Sequence, residues 1–389
     1  MFRGTAALLL STLLSTPAAA QSTRVETIAD QQAEKAKRLG EEGPSDAERV
    51  IRRILISPLL SGGDGVYPWF GSVFGGAGMA AGAGYLKRLE KAAAINLLAG
   101  VSVNGSTLFE TRLAAPELWH GMLRVDVGAQ RLEARGVSFY GLGPSSNQDA
   151  RVRYHYQPTE AGGNAALTPA KWLAFQGGYS FVSLDTTSDG PGSLANAGPG
   201  LGEGLRYHVV RAGAAIDWRT SPGYSTRGGF YRATWERHRE MNDRPFSFDS
   251  QEYEVVQLVP LLREQFVLAG RGVVTLTNTD AGHQVPVMLA PFLGSGSTLR
   301  SFANRRFTDR NRVLLTGEYR WRPSRYLDMA IFLDAGQVAA DRKQFRAGDL
   351  ETSWGLGARF HGPLFTALRV EVARGREGLG LIFAGSQIF

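Results

Sequence analysis

The chain of 389 residues contains no cysteine, which excludes both a disulfide framework and a thiolate metal site. It also lacks, beyond its first residues, any run of the roughly 20 uncharged apolar residues that a membrane-spanning helix needs. If this chain crosses a membrane, strands must do the crossing. The six histidines, at 120, 155, 208, 238, 283 and 361, show no metal-ligand spacing, so no metal is expected. No Gly-x-Ser-x-Gly elbow occurs, which removes the commonest hydrolase signature. The glycine-rich stretches Phe139–Pro144 and Gly198–Gly204 lack the helix and lysine of a phosphate loop, so no cofactor is expected and both read as flexible turns. The reading is of a non-enzyme, with His238 beside Glu236 as the one conceivable start of a hydrolytic site.

What is abundant points the same way. The chain has 48 glycines and 10% aromatic residues, a composition suited to tightly twisted strands with aromatic girdles at two interfaces. Net charge is +7, while residues 21–65 hold seven Lys plus Arg against eight Asp plus Glu, so the basic excess lies downstream. Such a surface attracts anionic lipid phosphates, lipopolysaccharide among them. Nucleic acid is not expected, because no single element interleaves basic and exposed aromatic residues.

The ends set the domain boundaries. Residues 1–20 read as a signal peptide, with Arg3, an apolar stretch Ala6–Leu14 and small residues Ala18, Ala19 and Ala20 before Gln21. Residues 21–65 read as a periplasmic helical extension, in which Ser45 and Glu48 form a capping box ahead of the apolar stripe Val50, Ile51, Ile54 and Leu55. From residue 66 to 389 the period becomes two. The expected strands are Ser72–Tyr85, Ala93–Val103, Leu108–Ala115, Met122–Leu132, Arg151–Tyr156, Leu173–Leu184, His208–Trp218 and Gly229–Arg237. They continue with Gln251–Leu261, Gln265–Thr277, Val285–Leu293, Val313–Arg322, Leu327–Val338, Ser353–Phe360, Phe365–Ala373 and Gly378–Phe389.

The fold class that follows is all-β, a 16-stranded antiparallel transmembrane β-barrel with a short N-terminal helical extension. Alternation supports it: Leu368, Val370 and Val372 oppose Arg369 and Glu371 on one strand, and Leu315, Tyr319 and Trp321 oppose Glu318, Arg320 and Arg322 on another. A soluble sandwich alternates as well, but the leader, the even count and the terminal Phe389 favour the membrane. Stepping back by twos from Phe389 leads through Phe383 and Leu381, the pattern of a C-terminal assembly signal.

Two short segments answer each other near the end of the chain. On Phe332-Leu333-Asp334-Ala335-Gly336, strand geometry puts Phe332, Asp334 and Gly336 on one face and Met329, Ile331 and Leu333 on the other. Leu299-Arg300-Ser301-Phe302 closes a polar glycine-rich stretch upstream. An arginine fork folded back from that loop suits a carboxylate partner. The pair resembles the (V/L)RG(F/Y) loop and FxDxG strand of the BamA/TamA family, the bacterial surface antigens of the outer membrane, with Ser301 in the place of the usual glycine. Gly317-Glu318-Tyr319-Arg320, Trp354-Gly355-Leu356-Gly357-Ala358-Arg359 and, more weakly, Asp217-Trp218-Arg219 with Pro222 and Gly228 are similar to further family elements, in order.

The resemblance implies an outer-membrane barrel of a Gram-negative cell that aids insertion or translocation of proteins or lipids. It implies a structural lock in which Arg300 pairs with Asp334, with Glu318 as a second partner, accompanied by Phe302, Phe332 and Gly336. Breaking such a desolvated pair costs about 3 to 5 kcal/mol. Residues 21–65 are too short for a polypeptide-transport-associated (POTRA) domain, so the expected partners are outer-membrane lipids, the assembly machinery and a separate periplasmic accessory protein. The alternatives are a passive pore and, further off, an outer-membrane hydrolase.

Overall fold

The computed structural model describes residues 64–389 apart from 90–92, 191–193, 195, 222, 263, 325, 363–365 and 386–389. The expected signal peptide, the helical extension as far as residue 63, and Phe389 lie outside the described residues. Glycine at 65 opens the first strand, so the wall begins where the extension was expected to end.

Eighteen strands follow among the described residues. They are β1 (Gly65–Gly71), β2 (Ala80–Leu89), β3 (Ala93–Ser102), β4 (Thr107–Leu118), β5 (Leu123–Phe139), β6 (Val152–Ala170), β7 (Leu173–Ser188), β8 (Leu205–Asp217) and β9 (Gly228–Glu240). The rest are β10 (Phe248–Leu261), β11 (Phe266–Thr279), β12 (Phe292–Leu293), β13 (Phe307–Thr308), β14 (Asn311–Trp321), β15 (Leu327–Ala339), β16 (Glu351–His361), β17 (Thr366–Gly375) and β18 (Gly378–Ala384). Sixteen of them form one antiparallel sheet in chain order, and β12 with β13 forms a separate two-stranded ribbon inserted between β11 and β14. Among the described residues no helix is long and apolar enough to cross a membrane.

Period two explains which way each residue faces. On β15, Ile331 and Leu333 are exposed outward while Phe332 and Asp334 are buried inward, and cross-strand partners continue the rule: Asp334 sits opposite Thr316 on β14 and Ser353 on β16. Leu315, Trp354, Leu356, Val372, Leu381 and Phe383 extend the outward apolar band. An antiparallel wall that is oily outside and polar inside is the transmembrane barrel arrangement.

The count of sixteen stands, but one expected strand is displaced and another is absent from the wall. Ser72–Tyr85 is broken by the β1–β2 connection, where Gly76 and Gly78 adopt φ of +98° and +77°, values that glycine tolerates and a strand does not use. Val285–Leu293 is not part of the wall. Only Phe292 and Leu293 pair, with Thr308 and Phe307, while Val285 and Ala290 are buried with Phe248 of β10 and Val287 and Met288 with inward residues of β7 and β8, so their apolar pattern reflects packing rather than pairing. The strand missing from the expectation is β1. β6 also runs on from Tyr156 to Ala170 through Pro158, which the register passes over as it moves from Arg131↔Thr159 to Ala134↔Tyr156.

The longer connections, 140–151, 189–204, 280–310 and 340–350, gather at one end of the sheet, and the tight turns 119–122, 171–172 and 322–326 at the other. At the long-loop end, Leu194, Leu201, Phe246, Val287 and Met288 pack on the inward residues Leu184, Leu205, Tyr207 and Val209 of β7 and β8.

Candidate functional site

The site is built on the connection 280–310, which turns into the barrel instead of away from it. Its inward course is set by apolar contacts: Leu293, Leu299, Phe302 and Phe307 cluster with Val273, Leu314 and Val338, which are inward residues of β11, β14 and β15. Gly336 makes room for this, since a Cβ there would stand 2.9 Å from both Leu293 Cδ1 and Val313 O. The tip is tied by Gly294 N donating to Thr298 Oγ1 at 3.1 Å and by Phe302 N donating to Leu299 O at 3.2 Å. Ser301 fits without a left-handed backbone, for the residue of the tip that has one outside glycine is Arg305, at φ 58°. The Ser301 amide donates to Ser353 Oγ on β16 at 3.0 Å.

This fold-back carries Arg300 into a pocket of carboxylates. Its Nε and Nη2 each donate at 2.8 Å to the two oxygens of Asp334, a bidentate fork, and its Nη1 lies 3.0 Å from Glu318 Oε1 and 3.1 Å from Glu371 Oε2. Thr316 Oγ1 donates to Asp334 Oδ1 at 3.0 Å. The guanidinium carbon sits 3.3 Å from the centre of the Phe332 ring, a cation–π contact. Three further arginines complete the cluster. Arg359 Nη2 donates to Glu318 at 2.8 Å and to Glu371 at 3.2 Å, Arg320 Nε to Glu318 at 2.8 Å, and Arg369 Nη1 to Glu371 at 3.2 Å. Arg369 also reaches the loop directly, donating to Gly296 O at 2.9 Å.

The structure therefore brings together five of the expected residues, Arg300, Asp334, Glu318, Phe332 and Gly336, and places Phe302 in the apolar cluster beside them, edge-on to Phe307. Glu371, Arg359, Arg320 and Arg369 join the site without being among the residues the loop and strand motifs point to. A signal existed: alternation already put Arg369 and Glu371 on the inward face, and Arg359 ended a quoted motif, but joining them to Arg300 requires the register across β14 to β17. Leu381 and Phe383 point outward from β18, and both are exposed.

The same loop reaches both ends of the strand order. Asn304 Nδ2 donates to Gly75 O in the β1–β2 connection, and Arg306 Nε donates to Glu377 between β17 and β18 at 2.9 Å. On β18, a Cβ at Gly380 would stand 2.7 Å from Arg300 O, so this glycine lets the loop lie against the last strand. The segment that follows Phe139 docks on the ribbon: Gly143 N donates to Thr308 O at 3.0 Å, and Arg306 Nη1 donates to Ser146 Oγ at 2.8 Å.

At the tight-turn end a second inward contact forms. Asp217 holds Arg219 with two bonds of 3.0 and 2.8 Å, and the connection that follows turns Tyr224 inward, where it donates to Asp328 Oδ2 at 2.8 Å and stacks on His361. Burial raises the Tyr224 phenol above its ordinary range, so it stays a donor. Pro222 lies outside the described residues. His238 is 3.7 Å from Glu236 and stacks on Phe248. Among the described residues no group of three or more His, Asp or Glu side chains is arranged to hold a metal.

Residues 120–376 match the Omp85 superfamily domain. Among solved structures, BamA from Haemophilus ducreyi lacking POTRA domains 1–3 is similar at a TM-score of 0.62 and 14% identity, over 82% of this chain and 69% of that one. CdiB from Acinetobacter baumannii is similar at 0.52 and 12% identity, and CdiB from Escherichia coli at 0.51 and 14% identity. In both comparisons with CdiB, 82% of this chain is covered against 58% and 59% of theirs, so it spans under two thirds of their length. At these identities the likeness is one of fold. No curated protein sequence matches. The chain belongs to the Omp85 superfamily and is an outer-membrane β-barrel of the BamA/TamA type.

Proposed function

We propose that this protein aids the insertion or translocation of proteins or lipids at the outer membrane of a Gram-negative cell, and that the Arg300 loop is a structural lock holding its lumen and its outermost strands in register. The long connections are assigned to the cell exterior and the tight turns to the periplasm. One observation carries the reading: the inward loop binds the β1–β2 connection through Asn304, the β17–β18 turn through Arg306, and β18 itself at Gly380. A loop in that position couples the filling of the lumen to the two strands where the wall begins and ends. Arg300 anchors it, because withdrawing the loop leaves Asp334, Glu318 and Glu371 without their central cation. A C-terminal assembly signal through Leu381, Phe383 and Phe389, and a periplasmic accessory protein that presents clients, belong to the same proposal.

Reconstitution tests it. Purified barrel in lipid vesicles, supplied with an unfolded outer-membrane client, should raise the yield of folded, protease-protected client above that of empty vesicles, and Arg300→Ala should lose most of the gain. Equal yields from empty and loaded vesicles, with no change in the outer-membrane proteome or in lipid asymmetry when cells are depleted of the protein, would refute it.

A passive pore is the second reading, favoured by a polar recess of about 280 Å³ on the inner wall of β4 to β8, lined in part by Glu110, Arg112, Asp126, Glu160 and Arg211. Single-channel conductance unchanged in Arg300→Ala would support the pore and weaken the lock.

A further inference from the structure

The outer wall near β1 is concave. On the outward face Ala83 of β2 stands opposite Ala99 of β3 and Thr111 of β4 opposite Ala129 of β5, the two pairs lying diagonally to each other because Ala99 faces Phe109 and Thr111 faces Leu97, and these short side chains leave a recess of about 550 Å³ flanked by Tyr85, Leu97 and Phe109. Its walls are apolar and its size is that of a ligand site. At one corner stands a charge. Outward residues along β5 run Val125, Val127, Ala129 and then Arg131, whose exposed guanidinium lines the recess and donates through Nη1 to Thr159 Oγ1 of β6 at 3.0 Å. The next outward residue, Glu133, is already held by Arg135 at 3.0 Å, and among the described residues Arg131 has no carboxylate partner. A guanidinium on the lipid side of a barrel wall is costly unless an anion meets it, and the anions a membrane supplies are lipid phosphates.

We propose that this recess binds one lipopolysaccharide molecule, with an acyl chain along the alanines and a sugar phosphate on Arg131. The guanidinium offers its free N–H groups to the phosphate, and the Thr159 hydroxyl, which accepts from Arg131, has its own proton left to donate to a second phosphate oxygen. The choice of a glycolipid over a phospholipid rests on the orientation proposed above: Arg131 stands opposite Phe109, two residues from the start of β4 at the end of the sheet that carries the long connections, so its headgroup belongs to the outer leaflet.

The test uses the full chain, folded in detergent and titrated with purified lipopolysaccharide, dephosphorylated lipopolysaccharide or phosphatidylglycerol, bound lipid being counted by native mass spectrometry. Wild type should hold one lipopolysaccharide. Arg131→Ala should weaken binding about tenfold, or ~1.4 kcal/mol, Arg131→Lys should restore part of it, and Ala129→Trp, which fills the recess, should weaken it while the folded band on a heat-modifiability gel is unchanged. Binding of wild-type strength by both Arg131→Ala and Ala129→Trp, or by dephosphorylated lipid, would overturn the site. Preference for phosphatidylglycerol would overturn the choice of lipid and with it the orientation. Client insertion is read separately, so loss of the site with insertion intact leaves the proposed function standing.

Discussion

The inner walls of β4–β8 and of β14–β17 carry the same chemistry under different cover. On the first, Arg211 lies 2.9 Å from Glu160 and 3.2 Å from Glu236, with roughly a quarter or more of each side chain still in contact with solvent. On the second, Arg300, Asp334, Glu318 and Glu371 pair at 2.8 to 3.1 Å with side-chain exposures of 0 or 1%. Period two puts charged residues inward on both walls. What separates them is the loop 280–310, whose part from Leu293 to Phe307 lies over the second wall, while Val287 and Met288 cover the first only at its long-loop end and leave Arg211 and Glu160 in contact with solvent. Ion pairs of equal geometry thus acquire unequal weight, because desolvation makes a broken pair expensive while water screens an open one.

Substitutions can break or sharpen this contrast. Arg300→Ala is expected to cost about 3 to 5 kcal/mol, visible as a lower urea midpoint for unfolding from lipid vesicles. Gly336→Ala comes next, at about 1 to 3 kcal/mol, since its methyl group meets Leu293 and the Val313 carbonyl; equilibrium unfolding should fall while the double variant with Leu293→Ala recovers part of the loss. Phe332→Leu keeps the apolar bulk but removes the face beneath Arg300, so about 0.5 to 2 kcal/mol should disappear, and a thermal melt followed by gel mobility would register it. Arg211→Ala, on the wet wall, should cost only about 0 to 1 kcal/mol, and less at high salt. A loss at Arg211 as large as that at Arg300 would erase the distinction.

Much of this was legible in the chain before any coordinates, and the failures have physical causes. Alternation placed Phe332, Asp334 and Gly336 inward correctly because a strand fixes side-chain direction residue by residue. The number of strands came out right through two opposite errors. β1, which contains Pro68 and ends in glycine, gave a weak pattern, whereas Val285–Leu293 gave a strong one that belongs to packing under the cap. Glu371 and Arg359 escaped because they lie 71 and 59 residues from Arg300 in sequence, and only the ladder of β14 to β17 brings them to the same point. The recess beside Arg131 escaped for a similar reason, as Ala83, Ala99, Thr111 and Ala129 are ordinary small residues until the register sets them as two pairs diagonally beside each other.

Labelling offers the most direct test of the central claim, that buried charge keeps the loop inside the barrel. The chain has no cysteine of its own, so Thr298→Cys, at a buried position two residues before Arg300, provides a single reporter. In folded protein this thiol should resist a polar maleimide, and adding Arg300→Ala should expose it and speed labelling by tenfold or more, corresponding to at least about 1.4 kcal/mol of lost loop docking. Equal labelling rates in the two backgrounds, with both proteins folded, would contradict the account.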